Sequence, residues 1–335
     1  MIPYDFDYER PDTLEEAAAL LRRSGSSARV LAGGTDLLPN MRIGILQPAL
    51  LVSLGVIEPL PPEIGADGSI RIDALTRLAS LVNSDFIRSR IPMLAESAHA
   101  VGGNQIRQMG TLGGNLCQET RCLYLNQAHD FQFTAPCYKR GGDCCYPYPG
   151  NRNDTCWSVY MSDIAPALIA QEAEIEILGE AGIRRIRAEA LFSGNALNPL
   201  TLARAEIIRS IVVPPPPPYF GWGYHKSTIR GGLEFAMANM AVALHLEADG
   251  KTCASAKVVV GAVSEGPLQA SVAAQALVGQ VLDVQRLSKA ADDASAEINP
   301  LPHHGLTRSY LKENIRVHLR RTFTAALDRA CGQSV

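Results

Sequence analysis

Six of the eight cysteines in this 335-residue chain (Cys117, Cys122, Cys137, Cys144, Cys145 and Cys156) fall between positions 117 and 156, directly after the glycine-rich run Gly110-Thr111-Leu112-Gly113-Gly114-Asn115. Soft sulfur donors hold iron–sulfur clusters and zinc far better than oxygen does, so a thiol cluster of this density points to inorganic chemistry. No C-x-x-C pair occurs, and spacing alone leaves iron–sulfur, zinc and disulfides all open. From Cys117 to Trp157 the chain has neither helical nor strand periodicity and is dense in Cys, Tyr, Pro, Gly and Asn. A structureless loop of that length is usually functional.

The bulk properties set limits. A chain of 335 residues predicts two or three domains. With 47% apolar residues, 19% charged and a net charge of −3, it reads as an ordinary soluble globular protein whose electrostatics favour neither nucleic acid nor an anionic membrane. No window reaches the length of a membrane span, and the opening from Met1 to Arg10 has no basic n-region or apolar h-region. The expected compartment is reducing, the cytoplasm; passage to the periplasm would need a partner's twin-arginine signal.

Three domains of α+β type are expected. In the first, residues 1–58, Asp12 or Thr13 caps a helix with Glu15 and Glu16 at its positive end and Leu14, Ala17, Ala18 and Leu21 as its buried stripe. The strand Ala28-Arg29-Val30-Leu31 then runs into Gly33-Gly34, and Leu50 to Leu54 forms a second strand. Residues 59–218 hold the alternating strand from Ile70 to Leu75, helical periodicity through Leu78, Leu81, Val82, Phe86 and Ile87, a helix from Met93 to Ile106, and the cysteine loop of about 117–157. Regular structure resumes at Ile164 to Ala170, Ala173 to Leu178 and Ile207 to Val213. The prolines 214–218 form a stiff spacer, and residues 219–335 a third domain with a strand at Ala256 to Val263 and a helix from Thr307 to Leu327.

Two Gly-Gly runs, each beside a Thr, lie at the ends of regular elements; glycine there lets main-chain N–H groups approach phosphate oxygens without an intervening Cβ. Neither is the G-x-G-x-x-G of a Rossmann fold or the G-K-[ST] of a nucleoside-triphosphate loop.

The segments Ala32-Gly33-Gly34-Thr35-Asp36-Leu37-Leu38 and Ile106 to Asn115 resemble the paired FAD-pyrophosphate motifs of the molybdenum hydroxylase flavoprotein subunits, a family that includes the FAD domains of xanthine dehydrogenase and the medium subunit of carbon monoxide dehydrogenase. The similarity continues in order through Ser162 to Leu168, Tyr224-His225-Lys226 and Phe235-Ala236. It implies a two-lobed FAD-binding fold with a smaller C-terminal α+β domain, and FAD held by Ala32, Gly33, Gly34, Thr35, Asp36 and Leu37 with Thr111, Gly113, Gly114 and Asn115. By the same likeness Asp163, which by itself reads as a helix cap, contacts the flavin ribose or ribityl chain. Lys226, otherwise a solvated strand lysine, lies by the isoalloxazine, where a cation favours an anionic reduced flavin. Leu200 matches the apolar residue placed against the flavin, although Ser193 to Pro199 depart from the family pattern. His303-His304 and Tyr146 to Pro149 read as loop surface or partner contact.

Within the family, the run Asn115 to Cys122 with Tyr124, Asn126 and Gln127 most resembles the beta subunit of 4-hydroxybenzoyl-CoA reductase. That subunit and the flavin subunit of a periplasmic aldehyde oxidoreductase carry an inserted loop with an extra [4Fe-4S] cluster. The resemblance implies Cys122, Cys137, Cys145 and Cys156 as its ligands, with Cys144 the alternative third and Cys117 a spare thiol. It also implies a molybdopterin-containing large subunit, a small subunit with two [2Fe-2S] clusters, and an external electron carrier such as ferredoxin. In a reductase the current runs from ferredoxin through this chain to molybdenum; in an aldehyde- or N-heterocycle-oxidising dehydrogenase it runs the other way. Two rival readings are a zinc-stabilised, non-catalytic binding module and an FAD-dependent reductase acting alone.

Overall fold

The computed structural model describes residues 4–127, 135–150 and 155–332; positions 128–134 and 151–154 of the cysteine loop and Met1 to Pro3 of the N-terminal opening lie outside the described residues. Three sheets organise the chain. The first lobe holds β1 (Asp7–Glu9), α1 (Leu14–Ser24), β2 (Ala28–Leu31), α2 (Leu37–Arg42) and β3 (Leu50–Ser53). Its sheet runs β1-β3-β2, with both outer strands parallel to β3. Thr13 is the residue that caps α1, its hydroxyl accepting from Glu16 N at 3.1 Å. Ala17, Ala18 and Leu21 are buried while Leu14 is only partly so, and the stripe meets Val52 and Leu54 and reaches Leu75, Leu178 and Ile207 of the next lobe.

The second lobe is built from β4 (Glu63–Ile64), β5 (Ile70–Asp73), α3 (Leu78–Asn83), α4 (Asp85–Arg90), α5 (Pro92–His99), α6 (Asn104–Met109), α7 (Leu112–Leu116), α8 (Ala165–Ala170), β6 (Glu174–Gly179), β7 (Gly182–Arg187) and β8 (Ile207–Val213). Its sheet is antiparallel throughout, in the order β4-β5-β8-β6-β7. The helix expected from Met93 to Ile106 is two helices. Gly102 takes φ +45, left-handed backbone open to glycine, and Gly103 is extended at the start of α6, so the chain turns between them. Ser84 divides the preceding helical stretch by capping α4, accepting from Ile87 N.

The C-terminal domain comprises β9 (Phe220–Ser227), β10 (Ala238–Leu246), β11 (Cys253–Gly261), β12 (Leu268–Gln269), α9 (Ser271–Gln275), α10 (Val284–Glu297) and α11 (Arg308–Ala330), with the antiparallel sheet β12-β11-β10-β9. The terminal helix lies so close to β9 that a Cβ at Gly221 would stand 1.9 Å from the Ala326 carbonyl oxygen and one at Gly223 2.2 Å from that of Thr322. Two glycines flanking Trp222 therefore fix where this helix docks. The apolar core does not stop at the prolines: Tyr224, Ala241, Ala243 and Val259 join the same buried cluster as Ile72, Leu94, Leu168 and Ile211. Among the described residues no helix is long and apolar enough to cross a membrane.

Candidate functional site

The first glycine segment, leaving β2 for α2, and the second, at the start of α7, meet across one cavity of about 520 Å³. All of Ala32, Gly33, Gly34, Thr35, Asp36 and Leu37 line it, as do Thr111, Gly113, Gly114, Asn115, Asp163 and Lys226. Val30, Leu54, Leu75, Leu78, Ile207 and Ile208 supply apolar wall. The structure thus brings the twelve expected cofactor-binding residues to one place. Leu200 is not on the wall; it pairs with Phe192, and Leu202 faces the cavity instead.

The two segments are not equivalent. The N–H groups of Leu112, Gly113 and Gly114 are already bound, to Thr76 O at 2.9 Å, Ala74 O at 2.8 Å and the Thr111 hydroxyl at 3.1 Å, because this run is the capped beginning of a helix rather than a free turn. Among the described residues nothing accepts from the N–H groups of Gly33, Gly34, Thr35 and Asp36. Four consecutive free donors along a cavity wall are what an anionic oxygen cluster requires. Gly33 in turn rests on the main chain at Met109-Gly110, and a Cβ at Gly113 would lie 2.9 Å from that of Ala74, so each segment is held where a side chain would not fit. The residues present suit a dinucleotide: free donors for its diphosphate, apolar walls for its rings.

Asp163 does not cap α8. Ser162 does so, accepting from Ile164 N and Ala165 N at 3.2 and 3.1 Å while donating to Asn115 Oδ1 at 2.5 Å, which ties the second glycine segment to this helix. The Asp163 carboxylate instead receives Lys226 Nζ at 2.8 Å and Asn239 Nδ2 at 3.1 Å. Lys226 also donates to the Ala100 carbonyl at 2.8 Å, and the two side chains are only 8% and 5% exposed. Lys226 is therefore no solvated strand lysine. Burial pushes the Asp163 carboxyl up, with Lys226 and Asn239 opposing.

At the opposite wall Arg121 pairs with Asp36, and its guanidinium lies 4.9 Å from the Phe235 ring centroid. Asp36 further accepts from Glu119 N at 3.0 Å and Asn40 Nδ2 at 3.3 Å; burial raises its carboxyl against the pull of Arg121. Because Arg121 precedes Cys122, this pair is the seam between the cavity and the cysteine insertion. Sequence reasoning did not single out Arg121 or Asn239, since their partners lie 85 and 76 residues away.

The insertion is anchored rather than loose. Residues Arg121 and Val159 exchange main-chain hydrogen bonds at its two ends, and Arg140 donates to Gln127 O at 2.6 Å and to Ile43 O at 3.3 Å in the first lobe. Tyr148 packs on Trp157 with ring centroids 4.8 Å apart over Met161, Ala236 and Leu301, and Tyr146 stacks on Tyr124. The tyrosines of the Tyr146 to Pro149 run are therefore packing groups, not bare loop surface. His304, expected at the surface or a partner contact, lines the cavity, and His303 Nδ1 lies 2.8 Å from Leu301 O.

Cys137 and Cys156 are buried, Cys122 and Cys145 half-buried. The Cys122 thiol feels those of Cys137 and Cys156, and the Cys145 thiol those of Cys156 and Cys122; burial raises both Cys122 and Cys145, opposed by main-chain N–H groups at Tyr124 and Leu125 and at Trp157 and Tyr148. The thiols of Cys137, Cys145 and Cys156 thus lie within electrostatic reach of Cys122, and main-chain N–H groups stand at the sulfurs of Cys122 and Cys145. Among the described residues no three histidine, cysteine or acidic side chains converge as ligands of a single ion; a four-iron cluster takes one thiolate at each of four separate irons, a wider arrangement. Cys117 stands apart on the cavity wall.

The model for the FAD-binding domain in molybdopterin dehydrogenase matches residues 4–216, and that for the CO dehydrogenase flavoprotein C-terminal domain matches residues 222–326. The chain belongs to this family of molybdopterin dehydrogenase FAD-binding proteins. It is 31% identical to the carbon monoxide dehydrogenase medium chain of Afipia carboxidovorans, covering 98% of this chain and 99% of that one. It is 29% identical to the aldehyde oxidoreductase FAD-binding subunit PaoB of Escherichia coli, covering 78% and 82%. The structure of carbon monoxide dehydrogenase from Hydrogenophaga pseudoflava superposes with a TM-score of 0.79 at 27% identity over 98% of this chain and 99% of that one. More narrowly, it is a medium, FAD-binding oxidoreductase subunit of the molybdenum hydroxylase family, two-lobed with a smaller C-terminal domain.

Proposed function

We propose that this chain is the flavin and iron–sulfur subunit of a three-subunit enzyme resembling 4-hydroxybenzoyl-CoA reductase. In that role it relays electrons between an external carrier such as ferredoxin and two partners, a small subunit with two [2Fe-2S] clusters and a large molybdopterin subunit. Bound FAD would supply one- and two-electron chemistry and a [4Fe-4S] cluster one-electron chemistry. The free N–H groups of Gly33 to Asp36 hold the diphosphate, Thr111, Gly113, Gly114 and Asn115 close the opposite wall, and Lys226, set by Asp163, offers the flavin a cation. Cys122, Cys137, Cys145 and Cys156 hold the cluster.

The observation that carries this reading is the neighbourhood of those four thiols, one residue beyond the Arg121–Asp36 seam of the FAD cavity. It also favours Cys145 over Cys144, because the Cys145 thiol lies within electrostatic reach of those of Cys156 and Cys122. The domain limits we assign, 1–58, 59–218 and 219–335, follow the three sheets, with the insertion in the second.

Protein purified without oxygen is expected to contain about four irons and four sulfides per FAD. Serine at Cys122, Cys137, Cys145 or Cys156 should deplete iron, and serine at Cys117 or Cys144 should not. Colourless, zinc-loaded protein would instead establish a zinc-stabilised module. A second reading is the same subunit serving an aldehyde- or N-heterocycle-oxidising dehydrogenase, and the likeness to the aldehyde oxidoreductase subunit PaoB supports its aldehyde form. Assay of the co-purified complex decides between them: hydroxybenzoyl-CoA reduction supports the first, aldehyde or N-heterocycle oxidation the second.

A further inference from the structure

Behind Cys156 runs a buried chain of hydrogen bonds that the cofactor assignments do not use. Cys156 Sγ lies 3.1 Å from Ser158 Oγ, and Ser158 Oγ lies 2.6 Å from Thr120 Oγ1. Thr120 and Ser158 are 0% and 1% exposed. Lys139, which sits in the insertion between Cys137 and Cys145, donates to Thr120 Oγ1 at 2.8 Å, to Glu119 Oε1 at 2.5 Å and to the Ala196 carbonyl at 2.6 Å. An ammonium has three N–H donors and no acceptor, so Lys139 is fully engaged and Thr120 must accept from it.

The cluster reading sets the direction of the chain. An iron-bound thiolate carries no proton, so Ser158 is the donor to Cys156, and its oxygen is left to accept the Thr120 proton at 2.6 Å in place of the longer 3.2 Å contact of Thr120 with Glu119. Ser158, accepting from Thr120, turns its own proton to the Cys156 sulfur. Every bond then points the same way, from the cation of Lys139 through two hydroxyls to sulfur, and aligned hydrogen bonds of this kind polarise and strengthen one another.

Resting on the cluster reading above, we infer that Ser158 is a positioning residue for Cys156, donating to its thiolate at the end of a Lys139–Thr120–Ser158 chain that raises the reduction potential of the cluster. A donor on a ligand sulfur stabilises the more negative, reduced state, and hydrogen bonds to sulfur are among the factors that set iron–sulfur potentials. The chain connects the insertion's only lysine to the segment that enters it from the FAD cavity, so the same residues fold the insertion and tune it.

The test is a reductive titration of the purified flavoprotein, followed by electron paramagnetic resonance, in wild type, Ser158→Ala, Ser158→Thr and Thr120→Val, with iron and FAD quantified in each. Ser158→Ala is expected to keep its iron and shift the cluster midpoint to a more negative potential, Ser158→Thr to restore it, and the flavin midpoint to move less. If Ser158→Ala loses iron, Thr120→Val, which leaves the hydroxyl on sulfur, is read instead; it should give a smaller shift of the same sign. A full iron complement with unchanged potential in both variants overturns the inference while leaving the cluster in place. Wild-type protein without a four-iron signal overturns the cluster reading and the inference with it.

Discussion

Gly33 is seated on the main-chain carbonyl of Met109: a Cβ at Gly33 would lie 2.0 Å from that oxygen, well inside contact distance. The backbone cannot yield without parting the two glycine segments. Gly33→Ala is therefore expected to destabilise the protein by about 1–3 kcal/mol, as overpacking does, and to lower bound FAD per chain. Thermal unfolding and the flavin-to-protein ratio after desalting measure both effects.

Removing Lys226 would leave the buried Asp163 carboxylate with Asn239 as its remaining side-chain partner. Lys226→Met should cost about 3–5 kcal/mol, and adding Asp163→Asn should recover part of that loss. Urea unfolding of the single and double variants gives the coupling. Because the native carboxyl is raised, mainly by burial, the native state holds its proton more tightly than the unfolded state, and this group's contribution to stability falls as pH rises through that interval. Lys226→Met should accordingly be less destabilised in mild acid than at neutral pH.

His225 stacks on His318 with ring centroids 4.1 Å apart, and its pKa is pushed down to about 4 by burial, the charge of His318 and that of Arg321. An ordinary histidine titrates near 6.5, so between those values the unfolded chain binds the proton that the native state refuses. Stability is expected to fall as pH drops from about 6.5 towards about 4. His225→Gln should flatten that slope in urea midpoints taken across the range; an unchanged slope would assign it to other groups.

Cys117 is exposed on the wall of the FAD cavity, and desolvation by the protein packed around it pushes its thiol up to about 12. Thiolate is therefore scarce at neutral pH, and alkylation should be slow. Flavin-free protein is expected to react with iodoacetamide at Cys117, and FAD to block the reaction. Cys331, exposed near the chain's end, should react equally with and without FAD. Peptide mass spectrometry reads both sites in one sample.

Local signals in the chain carried much of the fold. Thr13 followed by two glutamates and an i, i+3, i+4, i+7 apolar stripe makes α1 recognisable, because capping and periodicity act within a few residues. The strand β7 escaped notice: its Gly182-Ile183-Arg184-Arg185-Ile186-Arg187 is an exposed edge, and arginines reach back to Glu174, Glu176 and Glu206 rather than alternating with core residues. The site was readable where chemistry lies in short motifs, as at Gly33-Gly34. It was not readable where a side chain finds its partner across the fold: nothing near Asp163 announces Asn239, and nothing near Glu119 announces Lys139.

Because the apolar interior passes from β6 and β8 into β9, β10 and β11 without a break, the five prolines at 214–218 run along the outside and connect halves already joined beneath them. They act as a strap, not a hinge. A protease that severed the strap would leave two fragments still bound together, with Lys226 on one still facing Asp163 on the other.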